Sequence, residues 1–270
     1  MKKLIMMFVG IAVFVAAPAF AVEVGDLMQI LKQVKQGINS TLSEIDKDLK
    51  TAAKDLAAVD LKSDAARKIL NDLRKFRPYV IDCSILNADG LKITVEPEEY
   101  RKYENTDRAG LPSVIELLKT RKPVLSDVYA SEEGISAISF GYPIISAKGE
   151  LLGGVRMLVR HEMFLKPLAE DKPCKIWIMQ PNGLIIYDPD PMQVGKNIFT
   201  DPLFKSFEDL ASFARTVALS NNGAGSYDFY AKGLEDKTLV KKIAVWDTVG
   251  LYGEEWRVVA MEIERTLESK

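Results

Sequence analysis

NGLIIYDPDPMQVGKNIFTD, residues 182–201, decides how the rest of the chain is read. Asn182-Gly183 is a tight-turn dipeptide, predicted to place positive φ at both central residues between two paired strands. Leu184-Ile185-Ile186-Tyr187 is a short apolar strand. Asp188-Pro189 and Asp190-Pro191 break it, because Pro lacks the N–H a ladder needs and Asp initiates turns. Gly195-Lys196-Asn197 closes the stretch as a loop.

Half of that order occurs earlier. ILNADGLKITVEP (85–97) lies over IMQPNGLIIYDP (178–189), with Asp89-Gly90-Leu91 on Asn182-Gly183-Leu184. VYAS (128–131) lies over FYAK (229–232), and KGELLGGVRMLV (148–159) over YGEEWRVVAMEI (252–263). Three similarities in one order, about a hundred residues apart, indicate an internal duplication. Each copy reads as a hairpin, a loop with a short helix, then three antiparallel strands. In the first copy the helix is PSVIELLKTRK, opened by Pro112 and stopped by Pro123. Its strands are VLSDVYAS, ISAISFGYPIIS and LLGGVRMLV; in the second they are GSYDFYA, KKIAVWDTV and WRVVAMEI.

Residues 23–57 carry Val34, Ile38, Ile45, Leu49, Ala52 and Leu56 at mostly three- and four-residue steps, the pattern of an amphipathic helix. A bend is predicted between Val59 and Asp64, with Ser63 or Asp64 capping a continuation through Lys75. The helix reads as a spine covering the apolar backs of the sheets, with a dimer seam as the alternative. The fold class is α+β: a long helix, then two tandem five-stranded antiparallel sheets with helical loops, a PAS-like arrangement.

Lys2 and Lys3 precede a charge-free run from Leu4 to Ala17, followed by Ala19-Phe20-Ala21, the form of a cleavable export signal. The mature chain is therefore expected in the periplasm or medium. The organisation expected is a leader at 1–21, a helical spine at 22–78, a first module at 79–160, a linker at 161–174, a second module at 175–264 and a tail at 265–270. Composition is ordinary, 47% hydrophobic and 27% charged with net charge −2, which calls for no nucleic-acid partner. Cys83 and Cys174 each open a separate apolar run and are expected to be buried and unpaired.

With these parts in order, the chain resembles the double Cache sensors of bacterial chemoreceptors and histidine kinases. RKPVLSDVY, GYPIISAKGELLGGV, NGLIIYDPDPMQVGKNIF and EEWRVVAMEI carry the likeness. The resemblance implies that the Gly-Lys-Asn loop closes over the second module's pocket. It also implies a sensing role, with a membrane receptor or kinase as partner. Members normally continue through a second membrane helix into a signalling domain; this sequence has neither, so it reads as a stand-alone soluble member.

No catalytic constellation stands out. Gly195-Lys196 lacks the second Gly and the Ser or Thr of a phosphate loop, since 190 is Asp and 197 is Asn. Asp188 and Asp190 are explained by turn initiation, and His161, the only histidine, by linker packing. No enzyme activity, cofactor or metal is assigned. In VLSDVYAS, alternation puts Asp127, Tyr129 and Ser131 on one strand face. Arg108, Tyr103 and Ser139 complete the expected lining of a ligand site in the first module. In amino-acid-binding relatives an Asp stands two after that Tyr and Arg-x-Trp-Tyr precedes the helix. Here Ser131 replaces the Asp, and Gly110 and Leu111 replace the aromatics. An organic acid, an amine or an amino acid remain the ligand classes. The second module's Tyr187, Tyr227 and Phe229 read as a structural filling. The alternative function is a non-binding interaction protein, with the long helix as a possible homodimer seam.

Overall fold

The computed structural model describes residues 18–233 and 236–266. The hydrophobic run of the expected leader lies outside the described residues. Among them, no helix is long and apolar enough to cross a membrane.

Helix α1 spans Pro18–Leu56, 39 residues, about 58 Å at 1.5 Å per residue. Leu27, Leu31, Val34, Ile38, Leu42, Ile45, Leu49 and Leu56 form one buried stripe. That stripe lies against both sheets and is therefore consumed inside the chain. Polar ties flank it: Lys35 Nζ meets Asp247 at 2.7 Å, Asp46 accepts from Tyr252, and Asp48 pairs with Arg77. Helix α2 (Asp64–Arg74) starts where expected, with the Ser63 hydroxyl accepting from the Ala66 N–H. Leu70 and Leu73 point inward and Ile69 is half-buried. Arg67 pins the helix to the first sheet through Glu96 at 3.1 Å and Glu104 at 2.8 Å.

The first sheet contains β1 (Val80–Asn87), β2 (Lys92–Glu96), β3 (Val124–Leu125), β4 (Tyr129–Ala130), β5 (Ser136–Ile145) and β6 (Leu151–Val159), with α3 (Pro112–Thr120) in the loop before β3. Its order is β2-β1-β6-β5-β3, with β4 also on β5. After helix α4 (His161–Ala169), the second sheet contains β7 (Lys175–Met179), β8 (Ile185–Tyr187), β9 (Gly223–Tyr230), β10 (Leu239–Leu251) and β11 (Glu254–Thr266), with α5 (Glu208–Leu219) before β9. Its order is β8-β7-β11-β10-β9. The two orders superpose strand for strand: the opening hairpin sits at one edge, and the last strand of each copy pairs with the first. That is the duplication, seen in space.

Two local expectations are corrected. At the hairpin turns only the glycines take positive φ, Gly90 at 87° and Gly183 at 90°. Asp89 and Asn182 stay in ordinary backbone because the loop is longer than two residues. Gly90 N–H donates to Asn87 O and Gly183 N–H to Gln180 O, with a bulge following in each strand pair. The second correction concerns VLSDVYAS, which is not one strand but β3 and β4, making six strands in the first sheet. Ser126 causes the break. Its hydroxyl accepts from Ser139 N–H at 2.8 Å and donates to Asp127 O at 2.7 Å, so a side chain takes over ladder bonding.

Between the sheets, His161 opens α4. Its Nδ1 lies 2.8 Å from Ile186 O of the second module and its Nε2 3.3 Å from the Ser136 hydroxyl of the first. Burial holds its pKa below the ordinary value. Cys83 and Cys174 are buried and free.

Candidate functional site

Each sheet turns one face to the long helix and the other to its own loops. On the loop face of the first sheet, alternation along β1, β6 and β5 brings up Asp82, Ser84, Arg156 and Ser139, all buried. Lys92 from β2 and Tyr129 from β4 join them, and the loops contribute Arg108, Ser131, Glu132 and Glu133. Three cations and three carboxylates thus share a largely enclosed cluster. Lys92 Nζ lies 2.5 Å from Glu132, 3.7 Å from Glu133 and 3.9 Å from Asp82. Glu132 also pairs with Arg108. Arg156 Nη2 donates to the Ser139 hydroxyl at 2.8 Å and the Tyr129 hydroxyl at 3.1 Å.

Burial raises the Asp82 pKa, with Lys92 opposing and Glu133 adding to the rise. Burial lowers that of Lys92, against the pull of Asp82 and Glu133. Four buried polar atoms here have no hydrogen-bond partner: Asp82 Oδ2, Arg108 Nε, Ser131 Oγ and Glu133 Oε1. The cavity they surround holds about 10 Å³, at the limit for a single water.

The residues expected from sequence separate into two places. Arg108, Tyr129, Ser131 and Ser139 are brought together, and Tyr103 reaches their edge, donating to Glu132 O at 3.3 Å. Asp127 is not with them. It is exposed and accepts from Gln180 Nε2 of the second module at 2.5 Å, because the Ser126 break turns it away. Sequence reading missed Asp82, Lys92, Glu132, Glu133 and Arg156. For Asp82, Ser84 and Arg156 the signal was present, polar residues at period two within otherwise apolar strands.

The second module is roomier. Its loop-face cavity holds about 210 Å³, and residues 182–201 build much of its wall through Ile185, Asp188, Asp190, Gln193 and Ile198. Trp177, Tyr227 and Phe229 supply aromatic surface, so this is not the filled interior expected from sequence. Lys242 of β10 is only 3% exposed, its ammonium 5.4 Å from the Phe229 ring centre and 6.0 Å from that of Tyr227. Asp188 Oδ1 accepts from Asp190 N–H at 2.8 Å and Gln193 Nε2 at 3.3 Å. Burial pushes Asp188 up to about 7 and Lys242 down to about 8. Lys242 was legible by alternation, since it shares a face with Ala244 and Trp246.

Residues 40–161 match the family model described as HK/GC/Chemotaxis protein-like, sensor domain. Among solved structures, the chain is similar to an extracellular ligand binding receptor from Desulfohalobium retbaense, with TM-score 0.73 and 26% identity over 87% of this chain and 40% of that one. It therefore spans less than half of that receptor's length. It is also similar to the ligand-binding domain of the Campylobacter jejuni chemoreceptor Tlp3, solved with 4-methylisoleucine (TM-score 0.67, 13% identity, 94% of this chain and 96% of that one). A third similar structure is the ligand-binding domain of the Pseudomonas fluorescens chemoreceptor CtaA with L-serine (TM-score 0.62, 16% identity, 90% and 99%). No protein of curated function matches.

Proposed function

We propose that this chain, a double Cache sensor in fold and in family resemblance, binds a small organic molecule bearing a carboxylate in its first module. Arg108, Tyr129, Ser131 and Ser139 hold the ligand, with Tyr103 at the rim. The observation that carries this reading is the convergence on one spot of four buried polar atoms that lack a hydrogen bond, two of them carboxylate oxygens held only by the Lys92 ammonium at 3.7 and 3.9 Å. Arg108 Nε and Ser131 Oγ each cost about 1–3 kcal/mol, a cost that a ligand's own donors and acceptors remove. In the unliganded chain Glu132 stands in for the ligand carboxylate, bridging Lys92 and Arg108. Binding displaces it, and the cavity opens as its loop moves aside. The solved neighbours crystallised with amino acids support a ligand of that size and polarity.

The liganded form acts outside the cytoplasm and is presented to a membrane receptor or kinase. Residues 1–21 are the export leader, the spine covers 22–78 and the modules cover 79–160 and 175–264, joined at 161–174. A second reading, an interaction protein without a small ligand, draws on the small volume of the first cavity. A melting screen of organic acids, amines and amino acids, followed by calorimetry, separates the two. Arg108→Ala and Tyr129→Ala each weaken binding at least tenfold, or about 1.4 kcal/mol, with the fold retained. An intact mass beginning at Val22 in envelope fractions checks export.

A further inference from the structure

The second cavity contains a charge that the fold does not pair. Lys242 is 3% exposed, yet makes no hydrogen bond or ion pair among the described residues; its only contacts of this kind are over the Tyr227 and Phe229 rings. An ammonium removed from water is costly unless an anion meets it. Asp188 is attractive but beyond ion-pair distance, and its Oδ1 is already accepting two hydrogen bonds. The Trp177 indole N–H is a second buried donor, facing the Tyr227 side chain without completing a full hydrogen bond. Ile185, Ile198, Leu210 and Met261 supply apolar wall, with Asp188, Asp190 and Gln193 as the polar part of the lining. Lys175 and Lys232, both exposed, stand at the cavity and favour approach of an anion.

We propose that the second module is a separate ligand site for a small carboxylate with an apolar body, its carboxylate on Lys242 and its body among Trp177, Tyr227 and Phe229. Burial leaves Lys242 titrating at about 8, so it is mostly protonated at neutral pH. A volume of about 210 Å³ far exceeds the roughly 10–15 Å³ that one water needs. The stretch at 182–201 is then the wall of a binding site, which accounts for its two Asp-Pro breaks: each bends the chain around the cavity.

The experiment is calorimetry on the full chain with isovalerate and phenylacetate as simple carboxylates. Leucine and phenylalanine are α-amino acids with similar bodies, and benzylamine is the cationic control. At least one carboxylate-bearing probe binds and benzylamine does not. If only the amino acids bind, the ligand ammonium is held as well, at Asp188 or Asp190; if the simple acids suffice, Lys242 is the whole head-group site. Lys242→Met, matched in shape, lowers affinity for the binding probe at least tenfold, and Trp177→Phe lowers it less. Arg108→Ala leaves unchanged the binding event that Lys242→Met removes, so failure here is distinct from failure of the first-module site. Should Lys242→Met fold poorly, Lys242→Gln gives the same comparison. The proposal is overturned if no carboxylate probe binds, if benzylamine binds best, or if Lys242→Met and Lys242→Gln bind as wild type does.

Discussion

Glu132→Ala tests whether a side chain of this protein occupies the ligand's place. Its carboxylate joins Lys92 at 2.5 Å and Arg108, in a setting where the Lys92 side chain is 4% and that of Glu132 15% exposed. Lys92 keeps Glu133 at 3.7 Å and Asp82 at 3.9 Å. The Arg108 guanidinium loses its one ion pair among the described residues. Hydrogen bonds to charged groups contribute about 1.5–3 kcal/mol each, and stranding a buried ion costs about 3–5 kcal/mol. Water entering the gap reduces this, so the loss is about 3 kcal/mol, a melting drop of roughly 6–12 °C at 2–4 °C per kcal/mol. The missing fragment is the size of acetate. At about a hundred times its dissociation constant, acetate returns roughly 2.7 kcal/mol, nearly the whole deficit, while wild type, whose site is occupied, responds little. Scanning calorimetry of both proteins across an acetate series reads this directly. Equal responses from both proteins, or a variant that melts like wild type, would refute the idea that Glu132 mimics a ligand.

Along the spine, Leu70→Asp and Leu73→Asp should each cost several kcal/mol in urea unfolding, on the order of 3–5, by burying an unpaired charge. Ile69→Asp should cost less because that site is half-buried; equal costs at all three would contradict the packing of α2. Asp188 has its pKa raised from 3.8 to about 7, so it stabilises the fold below about pH 4, and that stability is lost as pH rises through 7. Asp188→Asn should therefore gain on wild type between pH 5 and pH 8; a constant gap would show that the carboxyl is not buried as described. His161 runs the other way, since its pKa is lowered: stability falls as pH drops below its unfolded value of 6.5, and His161→Gln should flatten that limb of the curve. Asp127→Ala, at an exposed contact, should change stability by under about 1 kcal/mol and leave ligand affinity unchanged; a tenfold affinity loss would return Asp127 to the site.

Much of the fold was legible because it is written in period and repetition. The stripe from Val34 to Leu56, the paired glycine turns and the two strand triplets each specify local structure, and the duplication forces the same sheet order twice. What escaped reading was decided by single side chains acting on the backbone. Ser126 is an unremarkable strand residue until its hydroxyl meets Ser139 N–H and splits the strand. That split is why Asp127, the acid chosen by alternation, faces Gln180. The charge cluster was only half legible. Arg108, Tyr129, Ser131 and Ser139 were picked from two strand-like runs and one loop, whereas Lys92, Glu132 and Glu133 arrive from elements whose approach depends on the whole fold. Volume is not written locally at all. Nothing in GSYDFYA says that its aromatics stand back from Trp177 and leave about 210 Å³ open.

The most direct test of the sensor reading is calorimetry of the protein against the organic acid, amine and amino acid screen, repeated with Arg108→Ala. The account requires at least one carboxylate-bearing compound to bind wild type, with affinity for it falling at least tenfold in Arg108→Ala while Lys242→Met leaves it intact. A screen in which nothing binds, or in which the Arg108 variant binds as wild type does, would contradict it.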